Sequence, residues 1–147
     1  HEAIYLTPTI LENLEYADIV RGSDEDFFNI FRKTEVERVY ADHIKFYCER
    51  FISTHGANGV NLYTGKLSEH FDTDMINPVS TIGAGDNFNA GLIYGLLKYD
   101  VRYRDLNNLN EEVWDKVVQC GKDFAAEVCR SFSNSVSVEF AGQYASK

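Results

Sequence analysis

The sequence predicts an α/β fold in which a sheet is flanked by helices. Short β-prone segments alternate with longer segments whose apolar residues recur at helical spacing, and this alternation is typical of layered α/β proteins. The 147 residues are close to the size of one domain. Hydrophobic residues make up 44% of the chain and aromatic residues 14%, which is enough for a buried core and outside the composition of disordered chains.

The first part of the chain is predicted to contain a helix, a strand and a second helix. Thr7-Pro8 has the form of an N-cap followed by proline at the first helical position. Residues 17–21 are short and β-prone, so they are predicted to form a strand. Ser23 is predicted to cap the second helix, whose acidic first turn suits the helix dipole. Its apolar side is formed by Phe27, Phe28, Ile30 and Phe31.

The middle of the chain is predicted to form a third helix and then three strands. The helix covers residues 34–47, and Val36, Val39, Ile44 and Phe46 lie roughly on one side of it. Residues 51–54 and 60–63 are predicted to pair as antiparallel strands around a turn, and residues 66–72 to form a further strand.

Two long helices are predicted in the last part of the chain. The first runs from about Ala84 to Lys98 and is followed by a polar loop through Asn110. The second runs from about Glu111 to Arg130, because apolar residues recur at helical spacing throughout this segment.

Charge and cysteine usage exclude several classes of function. Fourteen Lys and Arg against twenty-three Asp and Glu give a net charge of −9, so neither nucleic acid nor an acidic membrane surface is an expected partner. The longest apolar stretch, from Ala90 to Leu97, is too short to span a membrane. The three cysteines have no C-x-x-C spacing and the four histidines no metal-ligand spacing. Since no signal peptide is found, we expect a cytoplasmic protein.

One segment carries the chemistry, the run from Ser80 to Gly91. Gly83, Ala84 and Gly85 are small residues just before a helix, so the backbone can approach a ligand closely and the first-turn N–H groups suit a phosphate. Asp86 lies in the same first turn, where it could accept a proton from a hydroxyl that attacks phosphorus. The alternative interpretation is a routine helix cap, which the same residue types also form.

The run from Ser80 to Ile93 resembles the second signature of the PfkB (ribokinase-like) family of carbohydrate kinases. In that family, Asp-Thr-x-Gly-Ala-Gly-Asp opens a helix, and Phe and small residues follow, as Phe88, Ala90 and Gly91 do here. The resemblance implies a ribokinase-like layered fold with its sheet flanked by helices.

The same resemblance implies roles for the residues around this helix start. Asp86 would be the catalytic base. The backbone amides of Gly83, Ala84 and Gly85 would form the anion hole for the transferring phosphoryl group. Thr81 would lie near the nucleotide phosphates.

Three other segments resemble the family's nucleotide-binding parts. Ser23 and Asp26 match an Asn-x-x-Glu motif near the magnesium and phosphates, with Asp26 reaching the metal through water. The alternative for this pair is a plain helix cap. Thr54, Gly56 and Gly59 match a Thr-x-Gly-x-x-Gly turn beside the ATP phosphates and ribose, although alone they indicate an ordinary hairpin turn. The resemblance places Asn134 near the adenine.

The departures from the family pattern carry information. Ser80 stands where many members have an Asp that helps to bind a monovalent cation, which argues against potassium activation. Ser23 and Asp26 replace the commoner Asn and Glu, and this shortens one carboxylate arm near the magnesium water shell. None of these changes removes Asp86 or its glycines, so we expect an active branch of the family.

The resemblance covers residues 1–147, but only the C-terminal, nucleotide-binding and catalytic half of the family fold. The N-terminal half and its lid have no counterpart in this chain. Because that half makes most contacts to the sugar, we expect that the isolated chain lacks a complete acceptor site and does not phosphorylate sugar unaided. A homodimer of the full-length protein is compatible with the family, whose dimers pair through the lid.

These observations together predict an ATP-dependent sugar kinase of the fructokinase or ribokinase type. It would use ATP and Mg²⁺ and act on a small-molecule sugar. A nucleoside kinase of the same fold is the alternative within this class. A nucleotide-binding module without catalysis is the alternative from a different class.

Overall fold

The structure is a computed structural model that describes residues 2–74 and 77–147, with only the backbone described for residues 2–6. The chain divides into two compact units, His1–Thr73 and Asp74–Lys147. The first unit contains the sheet, and the second is built from helices. Within the described residues, no helix is long and apolar enough to cross a membrane.

Among its described residues, the first unit contains three α-helices and four strands. In chain order these are α1 (Glu2–Leu14), β1 (Val20–Ser23), α2 (Asp24–Phe31), α3 (Val36–Val39), β2 (Phe51–Thr54), β3 (Val60–Tyr63) and β4 (Ser68–Phe71). Helix α3 continues directly into a wider π-helical turn at Tyr40–Ile44. A short 3₁₀ turn at Gly56–Asn58 joins β2 to β3.

The four strands form one sheet in the order β1-β2-β3-β4. Strands β1 and β2 are parallel, with Ser23 opposite Thr54, while the other two pairs are antiparallel. Parallel strands need a crossover connection, and helices α2 and α3 supply it. The ring of Phe51 lies 4.8 Å from that of Phe27 and 5.6 Å from that of Tyr40, so β2 packs against the helical crossover.

The second unit contains α4 (Ala84–Lys98), α5 (Glu111–Cys129) and α6 (Val138–Ala145), with a 3₁₀ segment at Tyr103–Asn108. Helices α4 and α5 approach closely because glycines lie between them. A Cβ atom at Gly91 would stand 2.4 Å from the carbonyl oxygen of Cys120, so no larger residue fits there without separating the helices. The ring of Phe88 contacts Gly121 in the same interface. Helix α4 therefore has a fixed position on α5.

Most predicted elements are present with small shifts. The paired strands at residues 51–54 and 60–63 and the helix from Ala84 to Lys98 are confirmed. The strand predicted at residues 17–21 begins later, at Val20. The predicted polar loop before Asn110 contains a 3₁₀ segment, and α6 was not predicted.

Two details of the predicted helices are wrong. Thr7-Pro8 does not start a helix, because α1 begins at Glu2 and carries Pro8 inside it. The missing N–H of a proline fits a first turn best, but a longer helix can lose one hydrogen bond and continue. Phe46 is 89% exposed and Phe28 is 42% exposed, so neither belongs to the core. The change to wider π-helical geometry after Val39 moves Phe46 off the buried side.

Candidate active site

Helix α4 begins after a glycine in a left-handed conformation. The φ angle of Gly83 is +81°, and a Cβ atom there would lie 3.0 Å from the Cβ and the carbonyl oxygen of Asn134. Both the conformation and the space therefore require glycine. As the N-cap, Gly83 has no side chain to cover the first-turn amides. The amide of Ala84 donates to the carbonyl of Thr81 at 3.2 Å, so a phosphate oxygen would share this donor.

The loop before α4 is held in place by the end of α5. The amides of Val79 and Ser80 both donate to the carbonyl oxygen of Cys129, at 2.8 and 3.4 Å. The Ser80 hydroxyl oxygen accepts a hydrogen bond from the amide of Ile82 at 3.2 Å. Burial raises the pKa of the Cys129 thiol, so this cysteine is a neutral packing group, as expected for a buried cysteine.

Asn87 joins the start of α4 to a distant segment. Its side-chain amide nitrogen donates to the carbonyl of Gly83 at 2.8 Å and to the carbonyl of Asn134 at 2.9 Å. Asn87 is only 8% exposed, and its backbone amide also donates to Gly83. Asn87 was not predicted as a site residue from the sequence. The available signal was an amide side chain four residues after the N-cap glycine, on the face that carries Phe88.

Asp86 lies in the first turn of α4, one residue before Asn87. Its side chain is exposed, whereas Asn87 and Phe88 are buried. Thr81 is also exposed, and Gly83, Ala84 and Gly85 are half-buried. The carboxylate of Asp86 is therefore open to a second reactant at the helix end where an anion is favoured.

In the first unit, the predicted nucleotide residues lie at the carboxyl ends of the parallel strands β1 and β2. Ser23 and Asp26 form a reciprocal capping box at the start of α2. The Ser23 hydroxyl accepts from the amide of Asp26 at 3.1 Å, and Asp26 Oδ2 accepts from the amide of Ser23 at 2.9 Å. Asp26 Oδ1 takes no part in the capping box. An exposed carboxylate oxygen of this kind fits a Mg²⁺ ion held through water, because Mg²⁺ prefers oxygen ligands and keeps several waters.

The Thr54–Gly59 turn follows β2 directly. The Thr54 hydroxyl accepts a hydrogen bond from Arg21 Nη2 at 2.6 Å, and Gly56 has a φ of +54° with open space where a Cβ would lie. Gly59 has a φ of +91°, and a Cβ there would lie 2.1 Å from the carbonyl oxygen of Phe71. Gly59 is thus required by the sheet, while Gly56 leaves room beside the turn.

His55 connects this turn to the start of α2. Its Nδ1 lies 3.6 Å from the carboxylate of Asp24, and its Nε2 lies 2.6 Å from the Ser53 hydroxyl and 3.2 Å from the Asn61 amide. No role was predicted for His55 from the sequence, because the spacing of the histidines fits no metal site. The cross-strand register, which places Ser53 opposite Asn61, was the signal that could have found this network.

The predicted site residues thus fall into one group in each unit. In the second unit, the structure brings together the α4 start and Asn134. In the first unit, it brings Ser23 and Asp26 close to the Thr54–Gly59 turn, since Ser23 lies opposite Thr54 in the sheet.

Comparison with known proteins assigns the chain to a protein family. A family model described as pfkB family carbohydrate kinase matches residues 3–140. The ribokinase of Lactococcus lactis subsp. lactis (strain IL1403) is 28% identical over 88 residues, which cover 60% of this chain and 28% of that protein. A fructokinase of Escherichia coli is 39% identical over 85 residues, which cover 56% of this chain and 27% of that protein. The matches thus span less than a third of the length of these curated relatives.

The fold has a close match among solved structures. The aminoimidazole riboside kinase from Salmonella enterica, complexed with aminoimidazole riboside and an ATP analogue, matches with a TM-score of 0.73 and 20% sequence identity. The match covers 96% of this chain and 45% of that chain. A likeness at this identity shows the fold alone, and it confirms the predicted α/β, ribokinase-like architecture.

Proposed function

Since the chain belongs to the pfkB family of carbohydrate kinases, we propose that it transfers the γ-phosphate of ATP to a sugar hydroxyl. One observation carries this proposal: α4 starts at a left-handed glycine without a capping side chain, and its first turn presents the exposed carboxylate of Asp86. A helix start of this kind suits a phosphate and an acid–base group at the same place.

The loop at Gly83, Ala84 and Gly85 is proposed to bind the transferring phosphoryl group. Charge spreads over the phosphoryl oxygens during transfer, so fixed backbone donors stabilise the transition state without having to reorganise. The half-buried position of these residues excludes part of the water that would otherwise screen the interaction. Thr81, exposed just before them, is proposed to contact the nucleotide phosphates.

Asp86 is proposed to act as the general base. Its carboxylate would accept the proton of the sugar hydroxyl as that oxygen attacks the γ-phosphorus. The bond from phosphorus to the ADP leaving oxygen breaks as the new bond to the sugar oxygen forms, and the two oxygens stay roughly in line.

Further nucleotide contacts are proposed for each group of residues taken by itself. The Thr54–Gly59 turn, through Thr54, Gly56 and Gly59, would bind phosphates and ribose, and Asn134 would lie near the adenine. Ser23 and Asp26 would face the magnesium-bound phosphates, with Asp26 Oδ1 reaching the metal through water. Bound Mg²⁺ supplies positive charge to the phosphate oxygens.

Ser80 supports a kinase that does not depend on potassium. Its hydroxyl oxygen already accepts a hydrogen bond from Ile82, and a hydroxyl supplies no negative charge to a cation. The proposed location is the cytoplasm, which supplies ATP and keeps the buried cysteines reduced.

The acceptor class is proposed from the relatives. The 39% identity to a fructokinase favours a sugar. A nucleoside acceptor is the second candidate, because the matched Salmonella structure contains a riboside.

Substitution of Asp86 by Asn separates a kinase from a nucleotide-binding module. In the protein that carries this chain, we expect Asp86→Asn to lower phosphoryl transfer to sugar by about 10²–10⁴-fold, because a positioned base contributes that much. The affinity for ATP should stay within a few-fold, since the substitution keeps the shape of the side chain. The measurements are product formation from ATP with fructose, ribose and adenosine as acceptors, and calorimetric ATP binding.

Two results would contradict this part of the proposal. Unchanged transfer in Asp86→Asn would exclude Asp86 as the base. ATP binding without transfer to any acceptor in the unsubstituted protein would favour the module without catalysis. For residues 1–147 alone, we expect ATP binding without sugar turnover, because most sugar contacts come from the other half of the fold in this family.

A further inference from the structure

The peptide between Gly83 and Ala84 is held by hydrogen bonds to both its C=O and its N–H. Its carbonyl oxygen accepts two hydrogen bonds, from the backbone amide of Asn87 at 3.0 Å and from the side-chain amide of Asn87 at 2.8 Å. Its N–H donates to the carbonyl of Thr81 at 3.2 Å. Because a peptide group is planar, fixing the direction of its C=O also fixes the direction of its N–H.

The second N–H of the Asn87 side-chain amide also donates a hydrogen bond. Asn87 Nδ2 donates to the carbonyl of Asn134 at 2.9 Å, so both N–H bonds of the amide reach backbone carbonyls of separate segments. The backbone of Asn134 lies so close to Gly83 that a Cβ atom on Gly83 would be only 3.0 Å from its carbonyl oxygen. The Asn87 side chain is buried, so water does not compete strongly for these bonds, and truncation of the side chain would leave both carbonyls without this donor.

We propose that Asn87 is a positioning residue for the phosphoryl-binding loop. Its side chain fixes the Gly83–Ala84 peptide against the segment at Asn134, and thereby sets the direction in which the first turn of α4 presents its amides and Asp86. This inference rests on the proposed function of that turn. Asn87 faces the protein interior, so it acts on the phosphate through the loop and not by contact.

A charge-neutral substitution separates positioning from overall stability. In Asn87→Ala, we expect the affinity for MgATP to fall about tenfold, which corresponds to about 1.4 kcal/mol. The affinity for MgADP should change less than twofold, because ADP lacks the γ-phosphate that the loop is proposed to bind. A purely structural defect lowers both affinities by the same factor, since it only reduces the folded fraction.

Asn89 provides the matched control. It lies on the same helix two residues later and is exposed. We expect Asn89→Ala to leave the ratio of ATP to ADP affinity unchanged. Asn87→Asp and Asn89→Asp make the same change of charge. Asn87→Asp should reduce the ratio of ATP to ADP affinity more than Asn87→Ala does, because a carboxylate oxygen would face two carbonyl oxygens.

The experiment is calorimetric titration of the full chain and its variants with MgATP and MgADP, with thermal unfolding measured in parallel. A selective loss of ATP affinity in the Asn87 variants supports the inference. Equal losses for both nucleotides, or no loss, overturn it while leaving the proposed function intact. Absence of ATP binding by the unsubstituted protein overturns the proposed function and this inference together. If Asn87→Ala does not fold, Asn87→Ser keeps one donor and is judged by the same ratio.

Discussion

Helices α2 and α4 differ in what satisfies the amides of their first turns. Both helices leave first-turn amides that need a partner. At α2, Ser23 and Asp26 supply that partner from their own side chains in a reciprocal capping box. At α4, the N-cap is Gly83, which has no side chain. Backbone hydrogen bonds and the buried side-chain amide of Asn87 hold this turn in place.

This difference separates a helix start that is closed by its own side chains from one that is open to a ligand. A capping box satisfies donors locally, so it stabilises the helix without further help. A glycine start is less favourable on its own, and here α5 and Asn134 hold it in place. We therefore expect substitutions at α2 to lower stability by removing the cap, whereas substitutions at α4 act on nucleotide binding through the geometry of the loop.

The largest effect is expected for Gly83→Ala. An alanine in the left-handed region costs about 1–2 kcal/mol, and the new Cβ would crowd the backbone at Asn134. We therefore expect the free energy of unfolding to fall by about 2 kcal/mol and ATP affinity to fall as well. Chemical denaturation and ATP titration measure the two effects.

Gly142→Ala is the control for this substitution. Gly142 lies inside α6, where a Cβ would meet nothing within 4 Å. Gly142→Ala should therefore raise the free energy of unfolding by about 0.5–1 kcal/mol. A Gly83→Ala variant as stable as the unsubstituted protein would show that the left-handed start of α4 is not required.

A smaller effect is expected for Ser23→Ala. Loss of an N-cap hydroxyl costs about 1 kcal/mol, whereas Ser23→Gly should cost only a few tenths of a kcal/mol. Denaturation midpoints of the two variants give this difference. Because the Ser23 hydroxyl is also proposed to face the magnesium-bound phosphates, ATP affinity should fall in both variants. A loss of ATP affinity without a loss of stability would erase the contrast, since the hydroxyl would then serve the ligand and not the helix.

A smaller effect on stability than that of Ser23→Ala is expected for Asp26→Asn. The amide oxygen can still accept from the amide of Ser23, so only the favourable charge at the helix start is lost, about 0.5 kcal/mol. Glu25→Gln removes the same charge from the same turn. If Asp26 reaches magnesium through water, Asp26→Asn alone should raise the Mg²⁺ concentration needed for half-maximal ATP binding. Equal Mg²⁺ requirements in both variants would remove Asp26 from the metal site.

Local features of the molecule could be predicted from the sequence. Ser23 as a cap and the bounds of α4 follow from neighbouring residues, because caps and glycine breaks act within one turn. The Gly-Ala-Gly-Asp run also indicated which helix start is proposed to carry the chemistry. The strand pair at residues 51–54 and 60–63 followed from its turn.

Features that depend on distant contacts could not be predicted. Asn87 binds a carbonyl 47 residues away, and nothing near it in sequence indicates that partner. Helix α6 is short, and its Tyr144 and Phe140 rings pack on Phe124 of α5, so its stability comes from tertiary contacts. The π-helical turn after Val39 shifted the buried side of its segment in a way that regular helical spacing does not show.

The most direct test of the central claim is amide NMR of the ¹⁵N-labelled protein during titration with MgATP and MgADP. If the start of α4 binds the terminal phosphate, the amide resonances of Gly83, Gly85 and Asp86 should shift more with ATP than with ADP. The amide of Val113, which the side chain of Asn110 caps at the start of α5, should not move. Shifts of the same size for both nucleotides, or none at the α4 start, would contradict the account.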